Sequence, residues 1–267
     1  MVRHCDPRLH DTLTAILRAG QIENAAVEAR WIIEDAADEL HAVTIAERRA
    51  KHEPLQYLLG AWEFYGLHIE VGEGVLIPRA DTETLVDAAV SFLHHRNAPR
   101  VVDLCTGSGC IALAVRANLP SAEVTGIDIS ADALRYAEKN AAALFPDVRL
   151  CCGDVLSPET AAAFAGLDCI TCNPPYLSEA DMAVLQKEVT YEPALALFGG
   201  ADGLDFYRSV TALWRHTLQS GGMLAYEVGI GQHEAVSEIM AENGFTGIRV
   251  IPDLNGTARV VTGMFSV

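Results

Sequence analysis

Four consecutive residues, Asn173-Pro174-Pro175-Tyr176, carry the side chains of this chain that are best suited to hold a reacting group. They follow the apolar run 169–172, which predicts that they lie at the carboxyl end of a buried strand. Prolines lack an N–H group and have a fixed φ, so the carbonyl groups around them stay free to accept from a ligand. Asn173 adds one side-chain acceptor and two donors, and Tyr176 adds a flat face for stacking. Such a pocket fits a planar –NH2 group facing an incoming electrophile, although two prolines alone would indicate only a turn.

A turn with two glycines is the second group of residues that could bind a ligand. Residues 105–110, with the sequence CTGSGC, connect a predicted strand at 101–104 to a predicted helix at 111–117. Glycine is needed where the backbone approaches a ligand at the amino end of a helix. Asp128 closes the next predicted strand about 20 residues later, where a carboxylate binds ribose hydroxyls in nucleotide sites. The pattern predicts a nucleotide-type site at a switch point of a doubly wound sheet.

The spacing of the glycines distinguishes between cofactors. A dinucleotide-binding turn has the pattern G-x-G-x-x-G, but Ala112 occupies the third glycine position here. The pattern D-L-x-x-G-x-G that begins at Asp103 instead resembles the S-adenosyl-L-methionine (AdoMet) binding motif of Rossmann-like methyltransferases. The resemblance implies that Gly107 and Gly109 contact the methionine part of AdoMet and that Asp128 binds the ribose hydroxyls.

Further residues of the predicted cofactor site follow from the same resemblance. Asp154 and Val155 would border the adenine ring, and Asp103 could reach the ammonium group of the methionine part. An alternative role of Asp154 is to cap the segment that follows it. The full set predicted to bind AdoMet is Cys105, Thr106, Gly107, Ser108, Gly109, Asp128, Asp154, Val155 and Asn173.

The elements that position these residues alternate between strand and helix from about residue 99 onward. Strands are predicted at 101–104, 124–127, 148–152, 169–172, 223–228, 248–251 and 259–265, and helices at 111–117, 131–144, 203–219 and 233–243. The closing strand–turn–strand is expected to be antiparallel, which is typical of the seven-stranded methyltransferase sheet. The fold class is therefore α/β, a Rossmann-like class I AdoMet-dependent methyltransferase fold. Segment 177–202 has little pattern and is expected to cover the active site.

The first third of the chain is predicted to be helical. Apolar residues at helical spacing indicate a helix that ends at Gly20, a second at 25–40 with Trp31, Ile32 and Ala36 on one side, and a short third at 45–50. An alternating strand at 67–71 indicates a hairpin, and Asp81 is the predicted N-cap of a helix at 85–93. We therefore expect a small helical substrate-recognition domain at 1–60, a β-hairpin linker at 61–76 and an AdoMet-dependent methyltransferase domain at 77–267.

Charge and composition restrict the class of substrate. The chain has 19 basic and 36 acidic residues, a net charge of −17, whereas proteins that bind duplexes usually carry a basic stripe. A protein or small-molecule substrate is therefore expected, with no direct contact to nucleic acid or membrane. The amino terminus lacks the apolar core of a signal peptide and no apolar run is long enough to span a bilayer, which favours a cytoplasmic protein.

The cysteines and histidines do not predict a metal site. Seven cysteines, an odd number in apolar runs, are typical of reduced packing residues. Cys169 and Cys172 have C-x-x-C spacing, but residues three apart on a strand point to opposite faces, so neither a shared metal nor a disulfide is expected.

The chain resembles the bacterial peptide chain release factor glutamine methyltransferases over nearly its whole length. The motifs that carry the resemblance are Pro54-Leu55-Gln56-Tyr57, Trp62-Glu63-Phe64-Tyr65-Gly66, Pro78-Arg79 with Asp81-Thr82-Glu83, Asp103-Leu104 with Thr106-Gly107-Ser108-Gly109, Asn173-Pro174-Pro175-Tyr176, Glu192-Pro193, and Asn255-Gly256 before Arg259. The resemblance implies transfer of a methyl group from AdoMet to the side-chain amide nitrogen of the glutamine in the Gly-Gly-Gln motif of class 1 release factors. The residues it implies for catalysis are Asn173, Pro174, Pro175 and Tyr176.

Three departures from the family pattern are visible. Cys105 stands at a usual glycine position, Ala80 replaces the second proline of the PRPDTE motif, and the helical domain is shorter between Leu40 and Ala46. Cys105 would narrow the methionine pocket if its φ is positive, and the shorter domain bears on how a release factor docks.

Two other functions remain open on the sequence. An amino-methyltransferase that acts on adenine or guanine in nucleic acid shares the Asn173 motif, but it should show basic and aromatic residues around the pocket. A non-catalytic AdoMet- or nucleotide-binding regulator would be expected to lose Asn173 or the prolines, which are intact here.

Overall fold

The structure is a computed structural model that describes residues 7–266. The prediction that the chain has no signal peptide rests on its first residues, and those up to Asp6 lie outside this range. Among the residues described, no helix is both long and apolar enough to cross a bilayer.

The amino-terminal part consists of four helices around a hydrophobic core of their own. They are α1 (Pro7–Ala19), α2 (Ala25–Asp35), α3 (Glu39–Arg49) and α4 (Leu55–Leu59). The apolar residues of the four helices bury one another, with Leu13, Leu17 and Ile32 fully buried. This core is separate from those of the sheet, and the division of the chain at residues 60 and 76 stays a prediction.

The predicted second helix at 25–40 is wrong, because two helices occupy this range. The backbone is extended at Ala36, and the Asp38 side chain accepts from the backbone N–H of His41 at 2.8 Å, so a new helix starts at Glu39. The helix predicted at 45–50 is the second half of α3. Of the three residues predicted on one side of this helix, Ile32 and Ala36 are buried, whereas Trp31 is 39 % exposed and contacts the ring of Trp62 edge-on.

A hairpin follows the helices. Strands β1 (Ala61–Phe64) and β2 (Leu67–Glu70) pair antiparallel. Two residues with positive φ, Tyr65 and Gly66, join them, as the tightest hairpin turns require. Phe64 and Ile69 are fully buried in the core that the hairpin shares with the main sheet. The hairpin is therefore anchored to the sheet by its apolar face.

The main sheet has seven strands in the order β5-β4-β3-β6-β7-β9-β8. Its members are β3 (Arg100–Leu104), β4 (Glu123–Asp128), β5 (Arg149–Cys152), β6 (Leu167–Cys172), β7 (Leu218–Glu227), β8 (Phe245–Pro252) and β9 (Ala258–Phe265). The pairs among β3 to β7 are parallel, and β9 is antiparallel to both β7 and β8. The structure confirms the predicted seven-stranded α/β fold and its antiparallel closing pair.

Helices cover both faces of the sheet, so each face has its own core. One face carries α5 (Glu83–Leu93), α6 (Cys110–Asn118) and α7 (Ala131–Leu144), and the other carries α8 (Pro158–Ala162), α10 (Asp205–Trp214) and α11 (His233–Glu242). The short α9 (Glu179–Met182) lies in the segment between β6 and β7. Cys169 and Cys172 belong to opposite cores, as the strand alternation predicts.

Two predicted boundaries are wrong for reasons that involve distant residues. Asp81 does not cap α5: residues Ala80–Thr82 form a short 3₁₀ turn, and the Asp81 carboxylate accepts from Arg259 Nη2 at 3.1 Å. The helix predicted at 203–219 ends at Trp214, because Leu218 already pairs with Leu167 of β6. A 3₁₀ turn at Arg215–Thr217 follows α10, and β7 begins directly after it.

Arg49 connects the helical part to the segment between β6 and β7. Its guanidinium is buried and donates to Glu28 Oε2 of α2 at 2.6 Å, and its Nη1 lies 2.8 Å from Glu188 Oε1. Glu28 is also buried, so each charged group needs the other to replace the hydrogen bonds that water would make in the unfolded chain.

We expect Arg49→Met to lower the free energy of unfolding by about 3–5 kcal/mol, because it leaves the Glu28 charge buried and unpaired. Arg48→Met is the matched control: Arg48 also pairs with a glutamate, Glu53, but at the surface, where such a pair is worth about 1 kcal/mol or less. Urea unfolding followed by circular dichroism measures both. Equal losses for the two variants would contradict the buried pair.

Candidate active site

The site lies where the strand order reverses direction in the sheet. Strands β4 and β6 lie on the two sides of β3, and Leu104 of β3 pairs with Cys172 of β6. The loops that follow these strands therefore leave the sheet side by side at its carboxyl edge, which is where open α/β sheets bind ligands. This register brings the glycine turn and Asn173 together, although they are far apart in the sequence.

The glycine turn is held in a left-handed path. The φ angles of Cys105, Gly107 and Gly109 are +58°, +56° and +82°. Gly109 is the N-cap of α6, and a Cβ there would reach ordinary contact with Ala137 of α7 at 3.4 Å, so the positive φ is what favours glycine. The positive φ of Cys105 meets the condition under which its side chain narrows the pocket, and Cys105 does line the cavity described below.

Asp103 lies behind the turn rather than at its surface. It is fully buried, and its two carboxylate oxygens accept from the hydroxyls of Thr106 at 2.6 Å and Thr171 at 2.7 Å. Burial raises the pKa of Asp103 to about 7, against the two hydroxyl donors that lower it. The structure does not bring Asp103 to the cavity where the ammonium group of AdoMet was expected.

Asp128 ties the glycine turn to the end of β4. Its Oδ2 accepts from the backbone N–H of Gly107 at 2.8 Å, and its Oδ1 accepts from that of Ser130 at 2.9 Å. Burial raises the pKa of Asp128, and these backbone donors oppose the rise. Each carboxylate oxygen can accept a second hydrogen bond, so the carboxylate is still able to bind ribose hydroxyls.

A cavity, which we call the first cavity, opens between the glycine turn, Asp128 and the residues after β5 and β6. Most of the predicted cofactor residues line it, namely Cys105, Thr106, Gly107, Ser108, Asp128, Asp154, Val155 and Asn173, together with Pro175. Gly109 does not. Asp154 has the alternative role as well, since its Oδ1 accepts from the backbone N–H of Leu156 at 2.8 Å.

Many apolar residues that line the first cavity were not predicted as site residues, and four of them are large side chains from different parts of the chain. Val75, Ile129, Leu156 and Phe206 form its walls. Ile129 directly follows β4, which ends at Asp128, and its side chain is half exposed. Its position next to the predicted ribose-binding carboxylate is the one sequence signal that could have predicted Ile129 as a site residue. Phe206 lies on α10, far along the chain, and no local pattern marks it.

Asn173 lies on the wall between the first cavity and a second cavity. Tyr176, Leu177, Val184 and Glu227 are among the residues that line the second cavity. The Tyr176 side chain is largely buried, which raises its pKa to about 12. Pro174 lines neither cavity, so the role of its carbonyl as an acceptor stays a prediction.

The side-chain amide of Asn173 has one hydrogen-bond partner among the described residues, and this partner lines the first cavity. Its Nδ2 donates to Thr82 Oγ1 at 3.4 Å. Neither Thr82 nor Glu227 was among the predicted site residues, although Thr82 belongs to the Pro78-to-Glu83 motif. Both are buried at 2 % exposure beside Asn173.

The segment between β6 and β7 borders both cavities, as expected for a covering segment. Pro193 and Leu195 line the first cavity and Val184 lines the second. Glu192 fastens the segment, because its Oε2 accepts from the backbone N–H of Ile77 at 3.1 Å and its Oε1 pairs with Arg79. The Glu192-Pro193 motif thus ties this segment to residues 77–79 at the border of the first cavity. Within residues 7–266 no cluster of three or more potential metal ligands occurs.

Comparison with known proteins shows the family. Residues 82–195 match the family model described as "Methyltransferase small domain". A release factor glutamine methyltransferase of Thermodesulfovibrio yellowstonii is 42 % identical over 85 % of this chain and 82 % of its own. The fold also matches the crystal structure of a methyltransferase from Pyrococcus furiosus, with a TM-score of 0.55 and 16 % identity over 76 % of this chain and 91 % of the other.

A second relative covers more of the chain. The release factor glutamine methyltransferase of Geobacter sulfurreducens is 41 % identical over 91 % of this chain and 90 % of its own. The aligned region thus covers most of both chains and extends well beyond the residues of the main sheet. On these similarities, the chain belongs to the release factor glutamine methyltransferase family.

Proposed function

We propose that this protein transfers a methyl group from AdoMet to the side-chain amide nitrogen of the glutamine in the Gly-Gly-Gln motif of class 1 release factors. The observation that carries the proposal is the position of Asn173 between two cavities. The first cavity has the glycine turn and carboxylate of a nucleoside site, and the second leads to the same asparagine from the other side. Family membership supports the reading of the second cavity as the place of the substrate side chain.

The charge of the first cavity fits AdoMet. Asp128 and Asp154 are its acidic lining residues, and Arg79, the single basic residue among those found to line it, is paired with Glu192. AdoMet carries a positive sulfonium and an ammonium group, whereas a dinucleotide would place two phosphates near these carboxylates. Asp128 would bind the ribose hydroxyls, and Ile129, Leu156 and Phe206 would surround the adenine.

The polar groups beside Asn173 suit an amide nitrogen as the acceptor. Such a nitrogen is a poor nucleophile because its lone pair is delocalised into the carbonyl. AdoMet supplies a methyl group on a positively charged sulfur, which departs as a neutral thioether, and the nitrogen releases one proton to solvent. Asn173 Oδ1 would accept from one N–H of the substrate amide and turn the nitrogen towards the first cavity. Holding two reactants in line in this way supplies about 7–11 kcal/mol in favourable cases, so a strong base is not required.

The second cavity favours a protein side chain over a nucleic-acid base. Asp181 and Glu227 are among its lining residues, and Arg79 is the single basic one of those found to line it. A base attached to a phosphate backbone would approach through an acidic surface on a chain of net charge −17. We place the reaction in the cytoplasm, where release factors act, and propose no direct contact with nucleic acid.

The substrate class is tested with radiolabelled AdoMet and three acceptors in parallel: a purified class 1 release factor, free glutamine, and DNA with ribosomal RNA. We expect label in the release factor alone, since the family motifs outside the cofactor site extend over the whole chain. Label in nucleic acid but not in the release factor would replace this proposal by the base-methylating alternative. Binding of AdoMet without transfer to any acceptor would support a regulator.

We expect Asp128→Asn to weaken AdoMet binding by about 1.5–3 kcal/mol, because the charge-assisted hydrogen bonds to the ribose are lost. Titration calorimetry measures the affinity. Asp147→Asn is the control, since Asp147 is an exposed carboxylate paired with Arg116 at the surface. Equal affinities for the Asp128 variant and the wild type would remove Asp128 from the cofactor site.

We expect Asn173→Ala to reduce turnover on the order of a hundredfold while AdoMet affinity stays nearly unchanged, because the acceptor that orients the amide is removed. Asn173→Asp keeps an acceptor oxygen, so partial activity should return and rise with pH as the carboxylate ionises. Single-turnover methylation of a release factor across pH measures both variants.

The control for these variants is Asn118→Ala, which removes an asparagine at the end of α6 that bonds only its own helix at Ala114. Near-wild-type rates for Asn173→Ala would end the acceptor mechanism. An Asp variant that equals or exceeds the wild type would indicate a general base at this position instead.

A further inference from the structure

The guanidinium of Arg49 is oriented by the helical part of the chain. Arg49 ends α3, and its side chain is 6 % exposed. Its Nε and Nη2 donate to the two carboxylate oxygens of Glu28 on α2, at 2.6 and 3.1 Å, which is the bidentate geometry that fixes the plane of a guanidinium. Its Nη1 also donates to the backbone oxygen of Glu53 at 3.3 Å. Three contacts within the helical part therefore determine the direction in which Nη1 points.

Nη1 of Arg49 also reaches out of the helical part, to Glu188 Oε1 at 2.8 Å. Charge balance does not explain this second carboxylate, because Glu28 already pairs with the single charge of Arg49. Solvation does not explain it either, since the Glu188 side chain is 43 % exposed and can bind water. The ring of His52 comes within 3.9 Å of the same oxygen. A half-exposed ion pair adds little to stability, so what the contact fixes is the position of the chain at Glu188.

Glu188 belongs to a short segment that is fastened near both ends. We call residues 186–192 the strap. Glu188 is the N-cap of the 3₁₀ turn Val189–Tyr191 in the strap. At the other end, Glu192 accepts from the backbone N–H of Ile77 at 3.1 Å. One contact thus ties the strap to the helical part, and the other ties it to the segment that precedes α5.

The strap contributes a wall of the second cavity. Gln186 and Val189, on the two sides of Glu188 in the sequence, both line this cavity. The strap is braced by its own backbone, because Thr190 N donates to Gln186 O and Tyr191 N donates to Glu188 O, each at 3.2 Å. A displacement of Glu188 would therefore move Gln186 and Val189 with it.

We propose that Arg49 and Glu188 are positioning residues through which the helical part sets the wall of the second cavity at Gln186 and Val189. The proposal rests on the proposed function, because it takes the second cavity as the place of the substrate glutamine. A wall that is held in one position holds the glutamine side chain in line with the first cavity, and a misplacement of about 1 Å can cost about a hundredfold in rate. The helical part thus contributes to the reaction without touching the reacting atoms.

The first test removes the contact from its exposed side. In Glu188→Ala the Arg49 guanidinium keeps Glu28, so no buried charge is left unpaired and the variant should be as stable as the wild type. We expect kcat to fall and KM to rise for a full-length release factor, with kcat/KM lower by about tenfold to a hundredfold. AdoMet affinity should stay unchanged, because residues 186–189 do not line the first cavity.

Glu188→Gln keeps a side-chain oxygen that can accept from Arg49 Nη1, and it should recover most of the lost kcat/KM. Glu179→Ala is the matched control: it removes an exposed carboxylate of α9, in the same segment between β6 and β7, that lines neither cavity. It should leave kcat/KM unchanged. Wild-type kinetics in Glu188→Ala, or an equal loss in Glu179→Ala, would overturn the proposal.

A second background shows whether the effect passes through Arg49. Glu28→Met combined with Arg49→Met replaces the buried pair by apolar side chains, a change that is often neutral for stability. This double variant should have the kinetics of Glu188→Ala. Adding Glu188→Ala to it should change kcat/KM by less than about twofold, because the contact is already lost. A further loss of about tenfold on this addition would overturn the role of Arg49.

Hydrogen exchange of the free protein tests the contact without a substrate. The backbone N–H groups of Thr190, Tyr191 and Glu192 are hydrogen-bonded within the strap, so peptides that cover 186–192 should exchange faster in Glu188→Ala than in the wild type or in Glu179→Ala. Faster exchange, together with no methyl transfer by the wild type to a release factor, would keep the contact and reject the substrate. Transfer by the wild type, with unchanged exchange in Glu188→Ala, would keep the substrate and reject the positioning role.

Discussion

One buried carboxylate holds the two halves of the site together. Asp103 accepts from Thr106 in the glycine turn and from Thr171 in β6, two residues before Asn173. The two loops come from neighbouring parallel strands, and their relative position depends on this link as well as on the ladder between Leu104 and Cys172. A buried carboxylate with both oxygens satisfied is costly to disturb, because loss of either partner leaves a polar group without solvent. The cofactor turn and the strand that carries the asparagine are thus linked by one buried side chain.

A large part of the fold and of the cofactor site could be predicted from the sequence, because both depend on local patterns. The seven strands show as apolar runs, and the glycine turn is marked by residue types that the backbone path requires. Asp128 could be found because it stands at a fixed distance from that turn. For the start of α5 a distant partner decided the outcome: Asp81 is an acceptable N-cap by its neighbours, but Arg259 of β9 binds it instead.

The parts of the site that were not predicted share a physical reason. Ile129, Leu156 and Phe206 form cavity walls, yet an apolar residue that borders a cavity has the same pattern as one in the core. Thr82 bonds to Asn173 from the segment before α5, and Glu227 lines the second cavity with Asn173 from the end of β7, so neither has a sequence pattern that marks it. Asp103, expected near the ammonium group, is instead fully buried and lines neither cavity, because both of its carboxylate oxygens are bonded to the hydroxyls of Thr106 and Thr171.

The left-handed backbone of Cys105 has a consequence for ligand binding. A side chain other than glycine or asparagine at φ +58° costs on the order of 1–3 kcal/mol of strain, which the surrounding structure must offset. The hydrogen bond from Thr106 N to Ile127 O at 3.0 Å and the Asp103 contact contribute to that offset in the folded chain. With a Cβ at this position the turn has fewer alternative conformations than a glycine turn would have. Less conformational entropy is then lost when a ligand binds, so the turn is preorganised for binding.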